Sequence, residues 1–174
     1  ASKFTGSPKY ELIVGSSTKL TLKGSKYYFC KLLLERDGEL ILEKGAKVEI
    51  FIDSHANNAN CPVGSGTFAM EGSSKLINTN GPGSLLIEMA GPGPLSITNG
   101  ASLAASIFAP EALVKLSGSG SLTGAVVGAK VKLEAGSFIF GEGAENIWVG
   151  SATGAYSRKG WEQCTSGTGA SAGC

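Results

Sequence analysis

The chain has 174 residues with 15 basic and 14 acidic side chains and one histidine. That balance excludes both a polybasic nucleic-acid face and an acidic disordered tail. The length suits one domain with a long, narrow core. Its 26 glycines, about twice the ordinary share, follow no G-X-Y period and point to a turn-dense all-β chain rather than collagen or a linker.

Residues 1–18 read as a leader and N-terminal cap, with a first strand over Tyr10–Val14. The opening Ala1-Ser2-Lys3-Phe4-Thr5 reads as a trimmed or mature start, and no apolar run reaches the roughly 18 residues of a membrane helix. Any anchor is therefore expected upstream, with no membrane contact by these residues. Lys19-Leu20-Thr21-Leu22-Lys23 alternates with the period of a half-buried strand. Tyr27–Leu34 is a dense aliphatic and aromatic run of strong strand preference. Glu39–Glu43 and Lys47–Asp53 follow, parted by Lys44-Gly45-Ala46. In the second of these, Val48, Ile50 and Ile52 alternate with Lys47, Glu49 and Phe51, and only Phe51 departs from the pattern.

The stretch Ser54–Gly66 is rich in Asn, Pro and Gly and reads as a loop. Alternation resumes at Thr67–Met70 and Lys75–Asn78. Leu85–Met89 then lies between Gly81-Pro82-Gly83 and Gly91-Pro92-Gly93-Pro94, corners that cannot donate into a central ladder.

From Leu95 to Phe140 a unit recurs. Ser106–Ala109 lines up with Ala125–Gly128, and Leu113–Gly118 more loosely with Val131–Gly136. The spacing of roughly 16–20 residues is in the range of solenoids. Each copy offers few inward positions, such as Leu103, Ile107, Val114 and Leu116, or Leu122, Val126, Val131 and Leu133. One copy cannot bury them alone, so copies must stack. The turn Ile97–Leu103 repeats with its apolar residues in register, which places like residues above one another about 4.8 Å apart. The expected fold is a single all-β domain over 1–174, a single-stranded, right-handed parallel β-solenoid (β-helix). Its coils, roughly seven to nine by repeat length, span 19–145, with terminal strands and a tail over 146–174. Its open ends need covers, for which the aromatic N-terminal region and the Trp148 and Trp161 segment are available. An antiparallel β-sandwich is the rival.

Four cysteines, Cys30, Cys61, Cys164 and Cys174, include no CxxC pair, which argues against structural zinc. Of the three pairings open to four cysteines, Cys30–Cys61 with Cys164–Cys174 is the most economical. Cross-links suit an oxidising, extracytoplasmic compartment.

Chemistry is harder to find. Asp53, Glu71, Glu88 and Glu134 are the acids a polysaccharide-active solenoid would use, but their spacing assigns no partners, and the plainer reading is solvated strand faces. His55 beside Asp53 invites a base or a metal ligand, yet no second His or Cys stands at ligand spacing. Asp53, Asn57, Asn58 and Asn60 lack the acidic ladder of a calcium loop. Gly118-Ser119-Gly120 lacks the following helix of a dinucleotide loop. Lys19, Lys23, Lys26 and Lys31 interleave with Glu35, Asp37, Glu39 and Glu43 as a solvated face does. No catalytic residue, metal site or cofactor is expected. Tyr27, Tyr28, His55, Asn57, Asn58, Trp148 and Trp161 are the residues a binding surface would draw on, the aromatic ones through stacking.

The run Ile107-Phe108-Ala109-Pro110-Glu111-Ala112-Leu113-Val114-Lys115-Leu116-Ser117-Gly118-Ser119-Gly120, followed by Leu122-Thr123-Gly124-Ala125-Val126-Val127-Gly128, resembles a known family. It is the C-terminal β-solenoid domain of bacterial type IV pilus-assembly and minor-pilin-like proteins, whose N-terminal parts are pilin-like. The likeness extends more loosely from Leu20 to Trp161. It departs in one respect: no hydrophobic pilin helix lies in these residues, so it stands upstream or the chain is a stand-alone relative. The resemblance implies a non-enzymatic extracellular module, displayed at the cell surface on a pilus near its tip. Its partners would be other pilus or tip subunits and a host surface, a glycan or DNA. A carbohydrate-binding or polysaccharide-active β-helix and a self-assembling β-helical scaffold are the alternatives.

Overall fold

The computed structural model describes residues 10–144. Short strands follow one another with tight corners between them: β1 (Glu11–Val14), β2 (Lys19–Leu22), β3 (Lys26–Phe29) and β4 (Lys31–Leu34). Next come β5 (Glu39–Leu42), β6 (Val48–Asp53), β7 (Thr67–Met70) and β8 (Lys75–Ile77). A 3-10 turn, Pro82–Ser84, precedes β9 (Leu85–Ala90) and β10 (Leu95–Thr98). The last three are β11 (Ser102–Ser117), β12 (Ser121–Glu134) and β13 (Ser137–Phe140).

The protein is all-β, and the pairings among these strands are parallel. They fall into three files. In the first, β1, β4, β7 and β10 lead to the C-terminal part of β11 and then of β12. In the second, β2, β5 and β8 lead to the start of β11, the start of β12 and β13. In the third, β3, β6 and β9 lead to the middle of β11 and of β12. All three files join in one sheet. The antiparallel sandwich is thereby excluded for the described residues, whose one antiparallel contact is the isolated bridge Ser117–Ala135.

Alternation decides what each file buries. Successive side chains of a strand point to opposite faces, so in-register parallel pairing builds rows of like residues. One inward row runs Leu12, Leu32, Phe68, Leu95, Val114, Val131. Another runs Leu20, Leu40, Leu76, Leu103, Leu122, Phe138. The third file contributes Tyr27, Ile50, Ile87, Ile107 and Val126. Leu32, Leu40, Ile50, Phe68, Leu95 and Leu116 are wholly buried, and burial of each such side chain stabilises by about 1.5–3 kcal/mol.

The corner between the first and second files shows why the chain turns where it does. Ser17, Asp37, Ser73, Asn99, Ser119 and Ala135 all take left-handed backbone there. Five of these six corners are closed in the same way: Thr18, Gly38, Ser74, Ala101 and Gly120 donate their N–H to the carbonyl three residues back, at 2.8–3.1 Å. This is the repeating turn read at Ile97–Leu103.

Four sequence expectations change. The stack already includes β1 among the described residues, since β1 pairs with β4 ahead of Lys19. Tyr27–Leu34 is not one strand but two, β3 and β4, divided at the Cys30 corner. The looser repeat is out by one residue, since Val114 lies beside Val131 and Leu113 beside Lys130. The cause is a register shift between Ala109 and Leu113, at Pro110, which cannot donate to the ladder. Among the described residues the files hold five or six strand segments each rather than seven to nine, because the 54–66 and 78–84 excursions consume chain without adding a layer.

Candidate functional site

The corner between the third and first files carries the largest excursion, 54–66, and several sequence-derived candidates meet there. Cys30 follows β3 directly and is joined to Cys61 by a disulfide, Cα to Cα 5.4 Å. Cys30 N–H donates to the Tyr10 carbonyl and Gly66 N–H to the Cys30 carbonyl, both at 2.7 Å. The Asn-rich part folds on itself by local hydrogen bonds. Asn57 and Asn58 N–H donate to the Ser54 carbonyl at 3.1 and 2.9 Å, and Cys61 N–H to Asn58 at 2.9 Å. His55 Nδ1 lies 2.6 Å from the Cys61 carbonyl. A carbonyl only accepts, so the ring carries a proton on Nδ1, and the neutral form leaves Nε2 as an acceptor. His55 and Asn57 are exposed, and Asn58 is half-buried.

The outer face of the third file continues this surface. Glu49, Phe51 and Asp53 alternate outward from β6 while Val48, Ile50 and Ile52 face in. Asn58 Nδ2 donates to Asp53 Oδ2 at 3.2 Å, tying the loop to the strand. The Tyr28 ring stacks on Phe51, centroids 4.8 Å apart and 11° between planes. Lys26 pairs with Glu49 at 2.9 Å and stands 5.8 Å from the Phe51 centroid. Tyr28, Phe51, Glu88, Phe108 and Val127 form one outward row. Within it burial first, and the Glu49 carboxylate second, push the Glu88 carboxyl above its ordinary range, against the pull of Lys26.

Other candidates lie elsewhere. Tyr27 is half-buried: it packs against the core, and its hydroxyl accepts from Lys23 and Gly24 N–H at 3.1 and 2.8 Å. Alternation explains this, because Tyr27 and Phe29 point inward where Tyr28 points out. Cys164, Cys174, Trp148 and Trp161 lie outside the described residues. Of the four acids, Asp53 and Glu88 share the outer face of the third file, and the other two lie apart. Glu71 lines a cleft of about 430 Å³ with Arg36, Asp37, Ser73 and Asn99 at the corner of the first two files. Glu134 ends β12, where a hydrogen bond from Lys115 at 2.8 Å, and a second from Lys132, hold its carboxyl down to about 2. Among the described residues no group of three or more His, Cys, Asp or Glu gathers as a metal site. Phe51 and Glu49 were missed as surface partners of Tyr28. The signal was the one break in the β6 alternation, an apolar residue at an outward position.

A disulfide-pinned polar loop thus lies beside an aromatic, charged strand face, an open surface rather than a pocket. The chain carrying it belongs to the family described as a domain of unknown function (DUF7305), whose model matches residues 33–147. No curated protein and no solved structure matches it.

Proposed function

We propose that the chain is a single-stranded, right-handed parallel β-solenoid acting as a non-enzymatic extracellular display and adhesion domain of a type IV pilus-associated, minor-pilin-like protein. The supporting observation is the pairing of β1 with β4, β2 with β5 and β3 with β6 in parallel register, continued along each file. A chain that returns over itself after every third strand winds as a coil, and parallel crossovers wind right-handed. A continuous ladder suits a rod that bears load and holds out the 54–66 loop. The Cys30–Cys61 bond fits an oxidising compartment. The filament assignment rests on the resemblance of Ile107–Gly120 and Leu122–Gly128 to pilus-associated modules. Antibody against the domain, applied to intact cells and to sheared filaments, is expected to label filament ends. Filaments that carry no label overturn the assignment.

A second reading, a carbohydrate-binding solenoid, is favoured by the exposed Tyr28 ring stacked on Phe51 near Lys26 and Glu49, on the face whose Asp53 accepts from Asn58. Aromatic faces flanked by polar groups suit sugar rings. A glycan array in which Tyr28→Ala loses the signal supports it, and a blank array with blank lyase and hydrolase assays ends it.

A further inference from the structure

An asparagine followed by glycine is chemically exposed, because a glycine nitrogen has no neighbouring Cβ to shield it from the asparagine amide carbon. The chain has two such pairs, Asn80-Gly81 and Asn99-Gly100, and the fold treats them in opposite ways. Asn80 is half-buried and clamped to the 43–46 corner between β5 and β6. Its Oδ1 accepts from Gly45 N–H at 2.7 Å, and its Nδ2 donates to the Glu43 and Ala46 carbonyls at 2.9 and 3.2 Å. Attack on its amide carbon has to break all three bonds.

Asn99 and Gly100 are the central residues of the turn that Ala101 N–H closes on the Thr98 carbonyl, with φ +54° and +85°. That hand of turn selects Asn-Gly. Both residues are exposed, and Asn99 lines the cleft with Arg36, Asp37 and Glu71. Among the described residues nothing hydrogen-bonds its side-chain amide. The neighbouring nitrogen is free as well. At the same place in three other corners Asp37, Ser73 and Ser119 N–H donate to the next layer, on Gly72, Asn99 and Ala135 at 3.0, 3.0 and 2.7 Å. Gly100 N–H donates to no carbonyl among the described residues. We propose that Asn99 deamidates spontaneously in the folded chain, with water as the co-reactant, and that the fold protects Asn80. The Gly100 nitrogen bonds to Asn99 Cγ, the Cγ–Nδ2 bond breaks, and the Gly100 proton leaves with the amide as ammonia. Water then opens the cyclic imide at one carbonyl or the other. Opening at Cγ leaves aspartate on an unchanged backbone. Opening at the α-carbonyl routes the chain through the old side chain and frees as a carboxylate the group that accepts from Ser73 N–H. Either product adds a negative charge to the cleft. This does not depend on the filament reading.

The test is peptide mapping by mass spectrometry of the full, folded chain aged in mildly alkaline heavy-oxygen water. The Asn99 peptide is expected to take up heavy oxygen and to appear as aspartate and isoaspartate. The Asn80 peptide should convert more slowly by about tenfold or more, since its amide must first leave three hydrogen bonds. In urea the two pairs should convert at comparable rates. Asn99→Gly should abolish the first conversion with the β circular dichroism retained, because Gly72 and Gly118 already fill the same place with φ +40° and +53°. The parent chain decides the matter even if that variant does not fold. An Asn99 that keeps its amide in the folded chain overturns the proposal, as does an Asn80 that converts as fast. So does a contrast that persists unchanged in urea, which would put its cause in the sequence and not in the fold.

Discussion

Small residues at the corners govern whether this chain can stack. Thr18, Gly38, Ser74, Ala101, Gly120 and Gly136 each precede a strand of the second file, and none is larger than threonine. At Gly120 the reason is steric: a methyl group there would lie 2.2 Å from the Ile97 carbonyl oxygen and 3.1 Å from that of Ser117. Neither backbone oxygen can yield without disturbing the ladder. Gly120→Ala should therefore lower the stability measured by urea unfolding by about 2–3 kcal/mol. Gly45 makes the contrast. It has φ +81 but nothing within 4 Å of an added methyl, so Gly45→Ala meets only the left-handed backbone cost, about 1–2 kcal/mol. Equal losses at the two positions would contradict the crowding at Gly120.

At the scale of single elements, the outward row of the third file and the loop beside it behave differently. Glu88 lies in register between Phe51 and Phe108, and its carboxyl is raised chiefly by burial. A raised carboxyl favours the protonated form in the folded state. Its contribution is therefore full below the ordinary value of 4.5 and is lost as pH rises through the higher folded value. Glu88→Gln should raise the urea midpoint at pH 7, by about a few tenths of a kcal/mol after solvent screening, and the gain should vanish near pH 3.5. A gain that persists in acid would show that packing, not charge, is responsible. The loop depends on its cross-link. Replacing Cys30 and Cys61 by serine, which opens a sequence separation of 31, should cost about 2–4 kcal/mol. Hydrogen exchange should then rise in 54–66 well before it rises in β7 or β10. Much of this was legible. The Asn, Pro and Gly of 54–66 announced a loop, and Cys30–Cys61 was the economical pair. Tyr27 packs toward the core, as its position in the β3 alternation requires. Tyr28 meets Phe51 only through the pairing of β3 with β6, which local spacing does not encode.

For the molecule as a whole, the repeating turn was readable because each corner imposes the same demand: an apolar residue, a left-handed position, a small residue, then a leucine two residues on. Val14 to Leu20, Leu34 to Leu40, Met70 to Leu76, Ile97 to Leu103 and Leu116 to Leu122 all satisfy it. The register slip at Pro110 was not readable, since bulges leave no periodic trace. A stack of this kind makes a strong claim about deletions. Each layer touches only its neighbours, so removing one whole repeat should reseat the next layer on the one before. Ser102 pairs with Lys75 on one side and with Ser121 on the other. Excising residues 102–120 would join Ala101 to Ser121 and set Leu122 where Leu103 now packs, with Val126 in place of Ile107 and Val131 in place of Val114. The shortened chain should keep its β circular dichroism and unfold cooperatively at lower denaturant. Excising only 102–110 should not fold, because half a repeat puts first-file residues where the second file must pair. If both deletions fold equally well, or both fail alike, stacked repeats are not what holds the chain together.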